Sequence, residues 1–246
     1  MPDDAVLRGV YSADYLSVNQ SADVPGSPKD HAWVIHELRR RRSGIFVDYG
    51  CGAGDLLQKA ARAGWRVHGV ELNQDVAERV ESNTGLPVTT RPESLLRGGG
   101  AALADVIHIG DVMEHFGHLD SDLDRALALL KPGGLLMVQG PLVSGACLFN
   151  WFYQTAGRLR PERIIEAAPT HLVASTRTGV ETLVERRRLQ LVEFRLTEVT
   201  WPGPWRWEAN PKSMALFALR RISQQMSRLA PRHLGNRYRF SALKPV

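Results

Sequence analysis

The chain has 246 residues, 43% of them apolar, enough to bury the core of one large domain or of one domain with a sizeable insertion. Its N-terminus, MPDDAVLRG, is acidic, and no stretch approaches the roughly 18 uninterrupted apolar residues of a membrane-spanning helix, so the expectation is a cytoplasmic globular protein. Two cysteines, Cys51 and Cys147, are too few for a disulfide framework or a thiolate zinc site, and the net charge of +5 is concentrated at one end: Ala209 to Val246 carries eight Lys or Arg and no Asp or Glu.

From about Ser43 onward, strand-like apolar runs alternate with helical patterns, which points to parallel βαβ units covered by helices. Gly44 to Tyr49 (GIFVDY) is the first predicted strand. Asp55 to Ala63 follows as a helix, with Leu56, Leu57, Ala60 and Ala61 at helical spacing. Trp65 to Leu72 is a second strand ending in an acid, Gln74 to Thr84 a second helix closed by Gly85, and Leu86 to Thr90 a short third strand. The glycines at 98–100 read as a flexible turn. Asp105 to Ile109 is a fourth strand, Leu119 to Leu130 a helix stopped by KPGG (131–134), and Leu135 to Gln139 a fifth strand. A helix (Arg177 to Arg188), an alternating strand (Leu189 to Thr200) and a last strand (Tyr238 to Leu243) complete an open α/β sheet. Two segments break the rhythm and read as insertions: Leu142 to Pro169, with Phe149, Trp151, Phe152 and Tyr153, and Trp201 to Asn236, which opens WPGPWRW.

Open α/β sheets bind ligands beyond the carboxyl ends of their strands, so the turn VDYGCGAGD after the first strand is the expected site. Its glycines are Gly50, Gly52 and Gly54; a dinucleotide fingerprint needs its third glycine where this chain has Asp55. A pyrophosphate would meet that carboxylate at the helix N-terminus, which argues against NAD, and no P-loop sequence is present. A phosphate-free cofactor that is cationic at its reactive atom tolerates Asp48 and Asp55. S-adenosylmethionine fits, with Glu71 placed to accept hydrogen bonds from both ribose hydroxyls.

FVDYGCGAGDLL, GVELN, DVIHIGDVMEH, LLKPGGLLMV and THLVASTRTGVETLVERRRLQLVEF resemble, in order and spacing, the class I S-adenosylmethionine-dependent methyltransferases, and look most like the branch that contains ubiquinone-biosynthesis O-methyltransferases. The resemblance covers Arg42 to about Thr200. It implies a Rossmann-like, seven-stranded, mostly parallel sheet with helices on both faces. It also implies one domain in the order N-terminal arm (1–41), cofactor-binding core (42–141), aromatic cap (142–170), core (171–200), basic insertion (201–236) and last strand (237–246). By position, Asp48, Gly50, Cys51, Gly52, Gly54 and Asp111 would surround the cofactor, Glu71 would hold its ribose and Leu72 would line its adenine. Where the family often has an acid for the adenine amino group, this chain has Arg91.

Methyl transfer is an in-line displacement, so the enzyme mainly aligns the acceptor and, for a hydroxyl, removes its proton. Glu114 and His115 follow the fourth strand directly and are the chemical candidates. Related methyltransferases with Glu-His here include some that use a divalent cation, joined by a further His after strand five, where this chain has His171. Mg²⁺ or Mn²⁺ at such a set competes with His115 acting as a base. His108 alternates within strand four and reads as a core histidine with no assigned role.

The aromatic insertion could cap the methyl donor or simply pack onto the body, and Tyr11 and Tyr15 could close over the cofactor. Ser213 to Leu229 reads as a basic amphipathic helix, with Ala218, Ile222, Met226 and Leu229 on one side and Arg220, Arg221 and Arg228 elsewhere. This is compatible with peripheral membrane contact through residues 211–239, with RNA as the competing partner, a solvated basic face as the plain alternative and no DNA expected. The reading is a methyltransferase acting on a small-molecule, glycosyl or lipid-linked hydroxyl and releasing S-adenosylhomocysteine. The alternatives are an N- or RNA methyltransferase, or a non-catalytic cofactor-binding partner.

Overall fold

A computed structural model describes residues 31–96, 102–142, 151, 155, 172–198, 210–231 and 233–246. Tyr11, Tyr15, His171, the WPGPWRW stretch and all of the aromatic insertion except 142, 151 and 155 lie outside the described residues. The elements are α1 (His31–Arg39), β1 (Ile45–Tyr49), α2 (Asp55–Arg62), β2 (Arg66–Val70), α3 (Gln74–Thr84), β3 (Val88–Thr89), β4 (Ala104–Gly110), α4 (Leu119–Leu129), β5 (Leu130–Pro141), α5 (Arg177–Arg186), β6 (Gln190–Thr197), α6 (Pro211–Leu229) and β7 (Arg237–Leu243).

The strands form one seven-stranded sheet in the order β3-β2-β1-β4-β5-β7-β6, with β7 antiparallel to both of its neighbours. The order reverses at β1, where chain turns outward to β2 on one side and to β4 on the other, and a crevice opens beyond the strand ends. One face buries Phe46, Val67, Val106 and Met137 against α1, α2 and α3. The other buries Val47, Ile107, Val138 and Phe240 against α4 and α5. Period-2 alternation along fully covered strands is what divides these side chains between the two cores.

Three differences from the sequence reading have physical causes. The arm expected over 1–41 includes α1, which buries Trp33, Val34 and Leu38; Trp33 also donates to Glu193 Oε2 at 3.3 Å and lies under the Arg239 guanidinium, 5.1 Å from the ring centre. The KPGG stretch does not separate α4 from a strand. β5 already begins at Leu130, pairs with Ala104, and absorbs the irregularity through Gly133 at φ 73°. The second and third strands are shorter than predicted because Leu72 and Leu86 lie beyond the ladder pairs. No helix among the described residues is long and apolar enough to cross a membrane.

Asp105 ties the amino ends of the central strands together, accepting from Ile45 N and from Lys131 Nζ, each at 2.7 Å. Burial opposes its charge, but the hydrogen bonds from Lys131 and Ile45 and the nearby Lys131 and Arg66 charges outweigh it and hold the carboxyl below its ordinary value. A depressed carboxyl pKa contributes stability above the unfolded value, about 3.9, and loses it as pH falls through the lower folded value. Asp105→Asn should therefore melt earlier than wild type at neutral pH, by roughly 0.5–1 kcal/mol for a half-exposed pair. The gap should narrow as pH falls below about 4; a gap independent of pH over a melting series would exclude the ionic contribution.

Candidate functional site

β1 delivers Asp48 and Tyr49 to the carboxyl edge of the sheet, where the chain turns through Gly50, Gly52 and Gly54 with φ of 83°, 53° and 81°. These left-handed values favour glycine, and at Gly50 a Cβ would also overlap the side chain of Val112 beyond β4. The turn is pinned to β2: Gly50 N and Cys51 N both donate to Val70 O, at 2.7 and 3.0 Å. Glu71, directly after β2, accepts from Gly52 N through Oε2 at 3.0 Å and from Asn73 N through Oε1 at 3.2 Å. It thus shapes the turn as well as facing it. Leu72 beside it remains exposed, an apolar surface at the rim. The Cys51 side chain is buried and turns inward against Gly69.

Asp48 and His108 are register neighbours on β1 and β4, both buried. His108 Nδ1 lies 2.7 Å from Asp48 Oδ1, and His108 Nε2 lies 3.0 Å from Gln139 Nε2. An amide nitrogen only donates, so His108 Nε2 accepts and Nδ1–H donates to Asp48. His108 is the satisfied core histidine that the strand pattern suggested, yet its partner is a site carboxylate that it orients. The ring lies over Gly110, where a Cβ would overlap it.

Beyond β4, Asp111 adopts φ 54°, an uncommon value for a non-glycine residue, and its N–H donates to Gln139 O at 2.9 Å. Its Oδ1 pairs with Arg237, the first residue of β7. Its Oδ2 is buried with no hydrogen-bond partner among the described residues. A short 3-10 turn, Met113–His115, buries Met113 and Glu114 and leaves His115 half-buried. The Glu114 carbonyl accepts from Leu172 N and Val173 N at 2.7 and 3.0 Å, which brings the chain returning from the first insertion onto the site. Glu114 Oε2 and the Tyr238 hydroxyl both flank Gly140. Burial, then the Glu114 charge, push the Tyr238 phenol upward, and burial pushes Tyr49 up to about 12, so both phenols stay neutral.

The structure therefore gathers Asp48, Gly50, Gly52, Gly54, Glu71, Asp111, Glu114 and His115 at the carboxyl ends of β1, β2 and β4. Among the described residues no three His, Cys, Asp or Glu side chains converge to hold a metal ion. Sequence reasoning missed Gln139, Arg237 and Tyr238. The one available signal was a polar residue inside each apolar strand run, which needs a buried partner somewhere.

A family model for a methyltransferase domain matches residues 31–229. The chain is similar to a ubiquinone biosynthesis O-methyltransferase of Chelativorans sp. (strain BNC1), with 30% identity over 159 residues, 55% of this chain and 61% of that protein. It is likewise similar to one of Methylocella silvestris, with 34% identity over 134 residues, 53% of this chain and 50% of that protein. The chain thus spans between half and two thirds of the length of these two relatives. Among solved structures, magnesium protoporphyrin IX methyltransferase from Synechocystis PCC 6803 with bound SAH superposes with a TM-score of 0.63 at 11% identity, covering 98% of this chain and 100% of that one. At that identity the likeness bears on the fold, and the seven-stranded sheet agrees with it.

Proposed function

The chain belongs to the methyltransferase-domain family, and on that premise we propose that it transfers a methyl group from S-adenosylmethionine to a hydroxyl of a small-molecule, glycosyl or lipid-linked acceptor. The observation that carries the reading is the charge of the cradle. Asp48, Glu71 and Asp111 stand around the glycine turn, and Asp55 occupies the first turn of α2, where a pyrophosphate would need donors. Carboxylates in these places, one with a buried oxygen lacking a hydrogen-bond partner among the described residues, suit a cationic ligand without phosphate.

When bound, S-adenosylmethionine supplies a methyl carbon activated by a positive sulfur, and its departure leaves S-adenosylhomocysteine. Gly50, Gly52 and Gly54 let the backbone approach that ligand closely, while Glu71, fixed by the N–H groups of Gly52 and Asn73, is oriented to accept from ribose hydroxyls. Asp48 is held for the cationic part by His108. His115 takes the proton that leaves the acceptor hydroxyl as the new carbon–oxygen bond forms. Glu114 and Tyr238 form the buried floor beside it. The name shared by the two relatives supports oxygen as the accepting atom.

Calorimetry tests the cofactor assignment. The purified protein should bind S-adenosylmethionine and S-adenosylhomocysteine and give no heat with NAD; the reverse pattern would overturn the proposal.

A further inference from the structure

An amphipathic helix on a globular protein ordinarily buries its apolar stripe. α6 does the reverse. Arg220, Ser223 and Ser227 lie on its buried face, and both serine hydroxyls donate to Glu198 Oε2, at 2.7 and 2.8 Å. Its outward face presents Met214, Ile222, Met226 and Leu229, which are 42%, 55%, 41% and 86% exposed. Ala218, also exposed, continues the stripe one turn before Ile222. Arg221 and Arg228, both exposed and two turns apart, line one flank. Rolling the helix to bury the stripe would break its bonds to Glu198 and expose an apolar-to-polar mismatch on the sheet side, so the outward stripe is the stable arrangement of this fold.

We propose that α6 is an interfacial anchor that docks on an anionic phospholipid surface, with Ile222, Met226 and Leu229 entering the acyl boundary and Arg221 and Arg228 meeting headgroup phosphates. Charge complementarity selects this occupant. Ala209 to Val246 contains no acidic residue, so a second copy paired along the stripe would bring arginines toward arginines with nothing in that segment to answer them. Anionic headgroups supply the missing charge and the acyl layer takes the apolar residues. Of the basic residues described in that stretch, Arg220 is buried, Arg237 and Arg239 are turned to Asp111 and Trp33, and Lys244 donates to the carbonyls of Leu127 and Leu130, so exposed Arg221 and Arg228 carry the contact.

The anchor is tied to the working edge of the sheet. Leu196 N donates to Pro231 O at 2.7 Å, Asn236 N to Thr197 O at 3.0 Å and Leu142 N to Asn236 O at 2.8 Å, so the chain leaving α6 is fastened to the carboxyl ends of β5 and β6. Arg237 follows at once and pairs with Asp111. Docking through α6 therefore brings the bilayer to the end of the sheet that carries the glycine turn. Resting on the methyl-transfer reading, this makes the acceptor a molecule drawn from the bilayer or its surface.

The experiment is co-sedimentation of the whole chain with vesicles of phosphatidylcholine alone and of phosphatidylcholine with phosphatidylglycerol. Binding should require phosphatidylglycerol and weaken as salt rises. R221Q/R228Q should weaken it up to about 25-fold, from about fivefold per charge, and I222D/M226D should abolish it at the same lipid concentration. All four side chains are exposed, so both variants should keep the wild-type melting temperature and the wild-type affinity for S-adenosylmethionine. No sedimentation with anionic vesicles at low salt, or variants that sediment like wild type, would overturn the anchor. A dimer in light scattering that I222D/M226D dissolves, without vesicle binding, would replace it by self-association; RNA binding lost in R221Q/R228Q, without vesicle binding, would replace it by a nucleic-acid surface. Vesicle binding without cofactor binding would leave the anchor standing and sink the methyl-transfer reading alone.

Discussion

Replacing His115 by alanine should lower turnover by about 10²- to 10⁴-fold, the usual contribution of a positioned general base, while leaving the affinity for S-adenosylmethionine nearly unchanged. The second half of that expectation follows from placement. His115 ends the 3-10 turn after β4, whereas the residues that shape the cofactor turn come from β1 and β2. His115→Gln sharpens the result: it keeps a hydrogen-bonding side chain but cannot take up a proton at neutral pH, so a base loses activity in both variants and a purely positioning residue recovers much of it in the glutamine. Wild-type turnover in the alanine variant would remove His115 from the chemistry. A chelator titration of the wild type separates the remaining mechanism. Activity lost to chelator and restored by Mg²⁺ would place a cation beside Glu114 and His115, and indifference to chelator would leave the base.

Glu71→Ala should weaken S-adenosylmethionine binding about 10- to 150-fold, corresponding to roughly 1.5–3 kcal/mol for hydrogen bonds to a charged group. The structure adds a second consequence, because Glu71 also accepts from Gly52 N at 3.0 Å in a buried setting. Removing the carboxylate leaves that N–H unsatisfied and should cost roughly 1–3 kcal/mol of stability, read as a lower melting temperature. Glu71→Gln divides the two effects. Its amide oxygen can still accept from Gly52 N, so stability should be largely kept while the charge offered to the ribose is gone. Unchanged cofactor affinity in both variants, measured by calorimetry, would sink the ribose assignment even if stability fell.

The lines of residues along one strand were legible without coordinates. IFVDY followed by Gly50, Gly52 and Gly54, and VIHIGDV followed by Met113, Glu114 and His115, identify strand ends because apolar runs must be buried and glycines mark where the backbone turns sharply. Glu71 is placed beside the glycine turn for the same reason, as an acid at the end of a run. These are short-range signals, and they place most of the residues around the glycine turn. The opposite wall was not readable. Arg237 meets Asp111 across 126 residues because β7 inserts antiparallel between β5 and β6, and no local pattern states which neighbours a last strand will choose. The union of Asp48 with His108 and Gln139 depends likewise on the register of β1, β4 and β5, which packing fixes as a whole.

The second insertion marks the boundary most clearly. Sequence alone determined that 213–229 would be a helix with Ala218, Ile222, Met226 and Leu229 on one side and Arg220, Arg221 and Arg228 elsewhere, since 3.6-residue periodicity is a property of the chain. Which side would face the protein was decided by tertiary structure: half-buried Glu198, just past β6, accepts from Ser223 and Ser227 and draws the face that carries them and Arg220 inward, leaving Arg221 and Arg228 outside with the apolar stripe. A period assigns residues to faces, but the direction a face turns is set by what stands opposite it, and that is known only once the sheet has been assembled.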